Sequence, residues 1–358
     1  MTLPFALARR FVAGRTLDEA LQALDPILDD GLFVTLDLLG EHVHERPRAE
    51  GFAEAYTDLV ERLAGYRDRR NAAPEAVGIS IKLSMIGQVI DRDLCEANLR
   101  ALLTQARDAD LFVRLDMEGT DLTDSTLGLF EAVYPDFPDH VGPVLQAYLH
   151  RTAADVARMC ELSARVRLCK GAYKEPPSLA YQDMPTIRWH YRQHAAKLLT
   201  EGRYPGIATH DDQLIEAVRQ LVDERGVSRD AFEFQMLYGL RPETQRQLAR
   251  DGYRMRVYVP YGTEWVPYFS RRLRERKENV FFVLKALVKG SSWRILDCGG
   301  AGQIGAANFL ALPPPRRCPV PCSSPRWRSS SSIPRSPRPR RRIRPPSPSG
   351  RSRTAPHR

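Results

Sequence analysis

No stretch of this chain reaches the ~18 consecutive apolar residues that a membrane-crossing helix needs. Its first residues, MTLPFALARR, also lack the charged-then-apolar pattern of a secretory leader. Any membrane contact is therefore expected to be peripheral. Cysteine is sparse. The six residues Cys95, Cys160, Cys169, Cys298, Cys318 and Cys322 form no regular framework, so reduced thiols in a cytosolic protein are expected. Cys318 and Cys322 have ligand-like spacing but no His or acid beside them, which argues against zinc. Acid is missing from the end of the chain. Pro313 to Arg358 holds 13 arginines, no lysine, no Asp and no Glu, which exceeds the whole formal charge of +9 and leaves −4 for residues 1–312. The rest of the chain is mildly acidic, so the basic total is no sign of nucleic-acid binding.

What is present describes a soluble globular protein: 358 residues, 43% hydrophobic and 27% charged, enough for one large α/β domain or two ordinary ones. Three regions separate. Residues 1–30 read as amphipathic helix, with Leu17, Leu21, Leu24, Ile27 and Leu28 at helical spacing. Residues 31–290 alternate short apolar runs with helical patterns. Residues 291–358 turn to Pro, Arg and Ser without apolar periodicity, the composition of a disordered tail or of out-of-frame translation from a GC-rich gene. Within the last region GGAGQIGAA (299–307) has dinucleotide-loop glycine spacing, but a proline run follows in place of a βαβ unit.

The middle region yields eight strand candidates: 31–37, 77–84, 111–117, 142–149, 165–171, 206–210, 232–237 and 253–260. Helical patterns between them include 52–66, 94–109, 153–162, 189–199, 214–223 and 242–251. Strands alternating with helices pair in parallel, and eight such units predict a closed (β/α)8 TIM-like barrel, the alternative being an open doubly wound sheet. Barrel active sites lie at the C-terminal strand ends. Those ends carry Asp37, Lys82 and Ser84, Asp116, Gln146 and Tyr148, Arg167 and Lys170, Thr209 with His210 and Asp211, Gln235, and Tyr258. Polar groups at all eight ends predict a polar floor beneath a ligand. RVRLCKGAYKEP (165–176) poses the sharpest question, because Arg167 and Lys170 among buried alternating residues require a counter-charge. Beyond the last strand, YFSRRLRER (268–276) presents Arg271 and Arg272, whose planar forks suit a carboxylate, although a solvated basic face has the same look. Asp116, Glu118 and His210 are the residues available to a metal, but the neighbouring Lys82, Arg167 and Lys170 would repel a cation.

These segments resemble the proline dehydrogenase family in its monofunctional bacterial form. The resemblance is carried in order by IKLS (81–84), LDMEG (115–119), QAYL (146–149), RLCKGAYKE (167–175), ATHD (208–211), FQMLYG (234–239), RVYVPYG (256–262) and YFSRRLRER. It covers about 31–290 and stops there. It implies a (β/α)8 barrel with a C-terminal helix over its mouth, holding FAD noncovalently. It also implies oxidation of L-proline to 1-pyrroline-5-carboxylate, with electrons passed to a membrane quinone. By the same resemblance Asp116 and Arg167 are catalytic, and Lys82, Tyr258, Tyr268, Arg271 and Arg272 bind substrate. Met117, Gln146, Arg167, Lys170, Gly171, Ala172, Thr209, His210 and Gln235 would contact the cofactor, with the two cations of RVRLCKGAYKEP paired by it and no metal involved. Glu41 would pair with Arg271 as a gate. The partners implied are L-proline, the quinone and a separate 1-pyrroline-5-carboxylate dehydrogenase, with no nucleic acid. The place implied is the cytoplasm, peripheral to the inner face of the cell membrane. Competing readings are another flavin-dependent barrel such as methylenetetrahydrofolate reductase, a metal-dependent barrel hydrolase, and a nucleic-acid binder using the basic tail.

Overall fold

Each of the eight apolar runs forms a strand, and each strand hydrogen-bonds in parallel to its sequence neighbour. The strands are β1 (Phe33–Leu38), β2 (Gly78–Ile81), β3 (Phe112–Leu115), β4 (Val141–Gln146), β5 (Arg167–Cys169), β6 (Gly206–Ala208), β7 (Glu233–Leu237) and β8 (Arg254–Tyr261). Pairing of β1 with β8 closes the sheet into a barrel, the (β/α)8 arrangement expected from the sequence. This computed structural model describes residues 5–275. The expectations placed on 291–358, including the glycine-rich 299–307 segment, lie outside the described residues.

The helices are α1 (Leu17–Asp29), α2 (Arg46–Arg69), α3 (Arg92–Asp108), α4 (Thr120–Val133), α5 (Thr152–Glu161), α6 (Met184–Glu201), α7 (Asp212–Arg225), α8 (Pro242–Arg250) and α9 (Trp265–Glu275). The buried faces of α1 to α8 and the outward faces of the strands form one continuous core. α4 is absent from the periodicity reading because threonine carries part of its buried face: Thr123 and Thr126 are buried beside Leu122, Leu127 and Phe130. The N-terminal region is only partly helical. Thr16 caps α1 in a reciprocal capping box with Glu19, so the helix begins at Leu17 rather than near residue 1. The preceding segment instead packs Ala8, Phe11 and Val12 against Trp265, Tyr268 and Phe269 of α9. This second cluster fixes α9 beside the end of β8.

Ladder length varies around the barrel. Six residue pairs join β1 to β8 and five join β7 to β8, whereas two join β5 to β6. The lumen is also more polar than the branched aliphatic filling usual in such barrels. Arg167 on β5 reaches Ser80 on β2 at 3.1 Å and Gln235 on β7 at 2.5 Å, contacts that cross the interior. Gln235 passes the chain on to Glu233 at 2.5 Å, and Glu233 pairs with Arg256 of β8 at 2.7 Å. Gly206 makes room, since a Cβ there would overlap the Gln235 amide. Burial alone would lift the Glu233 carboxyl, but the adjacent Arg256 guanidinium holds it down at about 2.

Candidate active site

The strands stop one residue short of much of the chemistry. Lys82, Asp116, Lys170 and Thr209 each follow directly on the last ladder residue of β2, β3, β5 and β6. Freed from the sheet, they turn with Gln146, Gln235 and Tyr258 towards one cavity of about 1050 Å³ at the C-terminal mouth. The cavity wall includes Asp116, Met117, Gln146, Arg167, Lys170, Gly171, Ala172, Thr209, His210, Gln235, Lys82, Tyr258 and Tyr268. Every expected catalytic, substrate-binding or cofactor-binding residue with a described side chain is therefore on this wall, whereas strand-end Ser84 and the gate residue Glu41 are not. Arg271 and Arg272 lie on α9, three and four positions beyond Tyr268, but their side chains, and with them the Glu41–Arg271 gate, lie outside the described residues.

At one end of the cavity the polar residues form a connected set. Arg167 pairs with Asp116 at 2.7 Å, and the other oxygen of Asp116 accepts the Tyr258 hydroxyl at 2.7 Å. The Arg167 guanidinium also lies over the Tyr258 ring, 5.2 Å from its centre. Burial, then the Asp116 charge, pushes the Tyr258 hydroxyl well above its ordinary range, so Tyr258 is a donor at neutral pH. Lys82 binds Asp37 at 2.7 Å with both side chains buried. Burial would lower the Lys82 ammonium, but Asp37 outweighs it and keeps Lys82 a cation.

A second cluster on the cavity wall comes from β5, β6 and α6. Lys170 meets Asp211 at 3.1 Å, and Arg188 of α6 meets the same carboxylate oxygen at 2.7 Å. Burial raises the Asp211 carboxyl, yet Arg188 and Lys170 bring it below its usual range. Arg167 and Lys170 have counter-charges within the protein itself. Asp116 and Asp211 already pair them, because barrel closure brings those carboxylates within reach. Gly171 also has a role in the fold. Its φ is +113° and a Cβ there would overlap the Tyr148 ring, so the glycine serves the backbone path and Tyr148 as well as any ligand. Gly171→Ala is expected to cost roughly 1–3 kcal/mol, read as a lower denaturant midpoint with an unchanged slope.

The metal alternative finds no support in the geometry. His210 Nε2 accepts the Leu237 amide at 2.9 Å, and Glu118 accepts the Ser84 hydroxyl at 2.8 Å. Among the described residues no group of three His, Cys, Asp or Glu converges on a metal position. Sequence reasoning missed the pairing of Lys82 with Asp37, and it missed Arg188 entirely. Nothing marks one arginine in a polar helix until α6 is packed beside the mouth.

Comparison with known proteins agrees with this architecture. The family described as proline dehydrogenase matches residues 20–285. Proline dehydrogenase of Deinococcus radiodurans is 41% identical over 288 residues, covering 79% of this chain and 91% of the relative. Proline dehydrogenase 1 of Bacillus subtilis (strain 168) is 40% identical over 282 residues, with the same coverage of 79% and 91%. Among solved structures, proline utilization A (PutA) from Bdellovibrio bacteriovorus inactivated by N-propargylglycine superposes with a TM-score of 0.71 at 27% identity, covering 80% of this chain and 34% of that one. The eight-stranded barrel, the polar constellation at its mouth and this extended identity show that the chain belongs to the proline dehydrogenase family, oxidoreductases acting on proline.

Proposed function

We propose that the cavity holds FAD and L-proline together and that the protein oxidises proline to 1-pyrroline-5-carboxylate. The observation that carries this reading is one cavity lined by two unlike polar clusters. One is Asp116–Arg167–Tyr258 with Lys82–Asp37, and the other is Lys170–Asp211–Arg188 beside Gly171 and Thr209. At about 1050 Å³ the space is larger than a five-membered ring needs and sits at the top of the range for small-molecule and cofactor sites. The donor set also fits a dinucleotide flavin. Lys170 and Arg188 supply positive charge for its anionic parts, Gln146, Thr209 and Gln235 offer hydrogen bonds, and Met117, Gly171, Ala172 and His210 complete the wall. When bound, the flavin supplies the hydride acceptor for the ring carbon next to nitrogen.

The chain's own residues bind, orient and shield. Arg271 and Arg272 clamp the proline carboxylate, with Lys82 as a further cation. Tyr258 and Tyr268 cover the ring, and Asp116 holds Arg167 and Tyr258 in one geometry. Pinning the carboxylate fixes the reacting carbon by restricting its freedom. We further infer that electrons leave to a membrane quinone and that the product passes to a separate 1-pyrroline-5-carboxylate dehydrogenase. On this reading the enzyme is cytoplasmic and touches the inner membrane face only peripherally. In support, no helix among the described residues is long and apolar enough to cross a membrane.

The test is the visible spectrum of the purified protein, taken without oxygen before and after L-proline is added. Flavin bands that bleach on addition support the reading. Folded protein that takes up no FAD, or holds FAD that proline leaves oxidised, would refute it. Arg271→Met and Arg272→Met are each expected to raise KM for proline by about 10-fold or more, the loss of a charge-assisted bond of ~1.5–3 kcal/mol. An unchanged KM in both would remove the clamp.

A further inference from the structure

Asp37 sits on β1 at the barrel mouth, fully buried, and belongs to the cavity wall. Its Oδ1 takes the Lys82 ammonium at 2.7 Å, while its Oδ2 has no donor among the described residues. The neighbouring Tyr258 hydroxyl also lies close enough to act on Asp37, but its one proton is donated to Asp116 at 2.7 Å. A buried acceptor without a donor is rare and destabilising in native proteins, so such an atom on a cavity wall marks where a ligand's N–H belongs. Asp37 and Asp116 are each offset by a cation, Lys82 and Arg167, so the open acceptor rather than the net charge selects an N–H donor.

On the proline-oxidising reading, on which this inference rests, the substrate brings one such group, the secondary ammonium of its ring. That nitrogen holds two N–H bonds and must lose one proton before its lone pair can help expel hydride from the adjacent carbon. We propose that Asp37 accepts this proton through Oδ2. One N–H bond breaks and one O–H bond forms. The amine becomes neutral and Asp37 becomes a carboxylic acid, with no change of oxidation state. The hydride then leaves a neutral amine, and the product keeps the second N–H as a protonated imine. Charged and titratable groups facing Asp37 are Lys82 after β2, Asp116 after β3, Tyr258 and Tyr261 on β8, and Tyr56 on α2. Burial, opposed by Lys82, lifts the Asp37 carboxyl to about 6. It is therefore mostly ionised at neutral pH yet basic enough to take a proton.

The test compares Asp37→Asn with wild type using proline and cyclopentanecarboxylate, a ring acid of the same shape without nitrogen. At neutral pH the variant should lose roughly 10²-fold in kcat/KM for proline. That deficit should shrink as pH rises and free proline arrives already deprotonated. Cyclopentanecarboxylate should bind the variant as it binds wild type. A loss equal at every pH, or both ligands weakening together, would show that Asp37 only holds Lys82 and would overturn the assignment. If the variant does not fold, wild type decides. Proline binding should weaken as pH falls through about 6 while cyclopentanecarboxylate binding does not, and parallel trends would overturn the assignment. Wild type whose flavin ignores proline would overturn both this assignment and the functional reading beneath it.

Discussion

Replacing Glu233 with glutamine is expected to lower stability by about 3–5 kcal/mol, the usual cost of removing one partner from a buried ion pair. Glu233 accepts from Arg256 at 2.7 Å, Gln235 at 2.5 Å and Tyr204 at 3.1 Å, and a glutamine amide would turn a donor towards one of those donors. In a barrel of this size the melting temperature should fall on the order of 10 °C. The pH dependence carries a defined sign. The folded carboxyl is held at about 2 against an ordinary 4.5, so its stabilisation is complete above 4.5 and disappears as pH falls towards 2. Wild type should therefore lose stability on acidification through that window more steeply than Glu233→Gln. Thermal melts across pH would show this, and equal melting temperatures at neutral pH would disprove the role.

Arg167→Met should cost about 10²–10³-fold in kcat, the range seen when a preorganised donor is removed from a reacting centre. The guanidinium serves Asp116 at 2.7 Å, Ser80 at 3.1 Å and Gln235 at 2.5 Å, with its plane over Tyr258. Its loss leaves Asp116 charged beside Tyr258 and unties three strands at once. Arg167→Lys should recover little, because an ammonium lacks the planar fork that reaches all three partners. Steady-state kinetics with proline, read separately as kcat and KM in protein shown to be folded, provides the measurement. A kcat within a few-fold of wild type would remove Arg167 from the reacting centre.

Much of this architecture is legible in the chain because strand periodicity and polar strand ends are local properties. The run VGISIKLS shows its strand and its Lys82 within eight residues. Partner choice is not local. Asp116 and Tyr258 are 142 positions apart, Arg167 and Ser80 are 87 apart, and Lys82 and Asp37 are 45 apart. The need for a counter-charge at Arg167 and Lys170 was readable, whereas its source was not, since only closure of the sheet decides which carboxylates arrive. α4 escaped for a related reason. Threonine is polar by composition, yet in this helix it fills a buried face.

The uneven ladder around the barrel divides the mouth mechanically. β7, β8 and β1 form a stiff plate through six and five paired positions, and this plate carries Gln235, Tyr258 and Asp37. β5 and β6 share only two, as do β1 and β2, and β5 and β6 present Arg167, Lys170 and Thr209. Local opening costs least where backbone pairing is thinnest. The β5–β6 side of the mouth is thus more compliant than the β7–β8–β1 side. Asp37 and Tyr258 are held by the most heavily paired backbone of the mouth, while Lys170 and Thr209 stand on backbone that gives more readily.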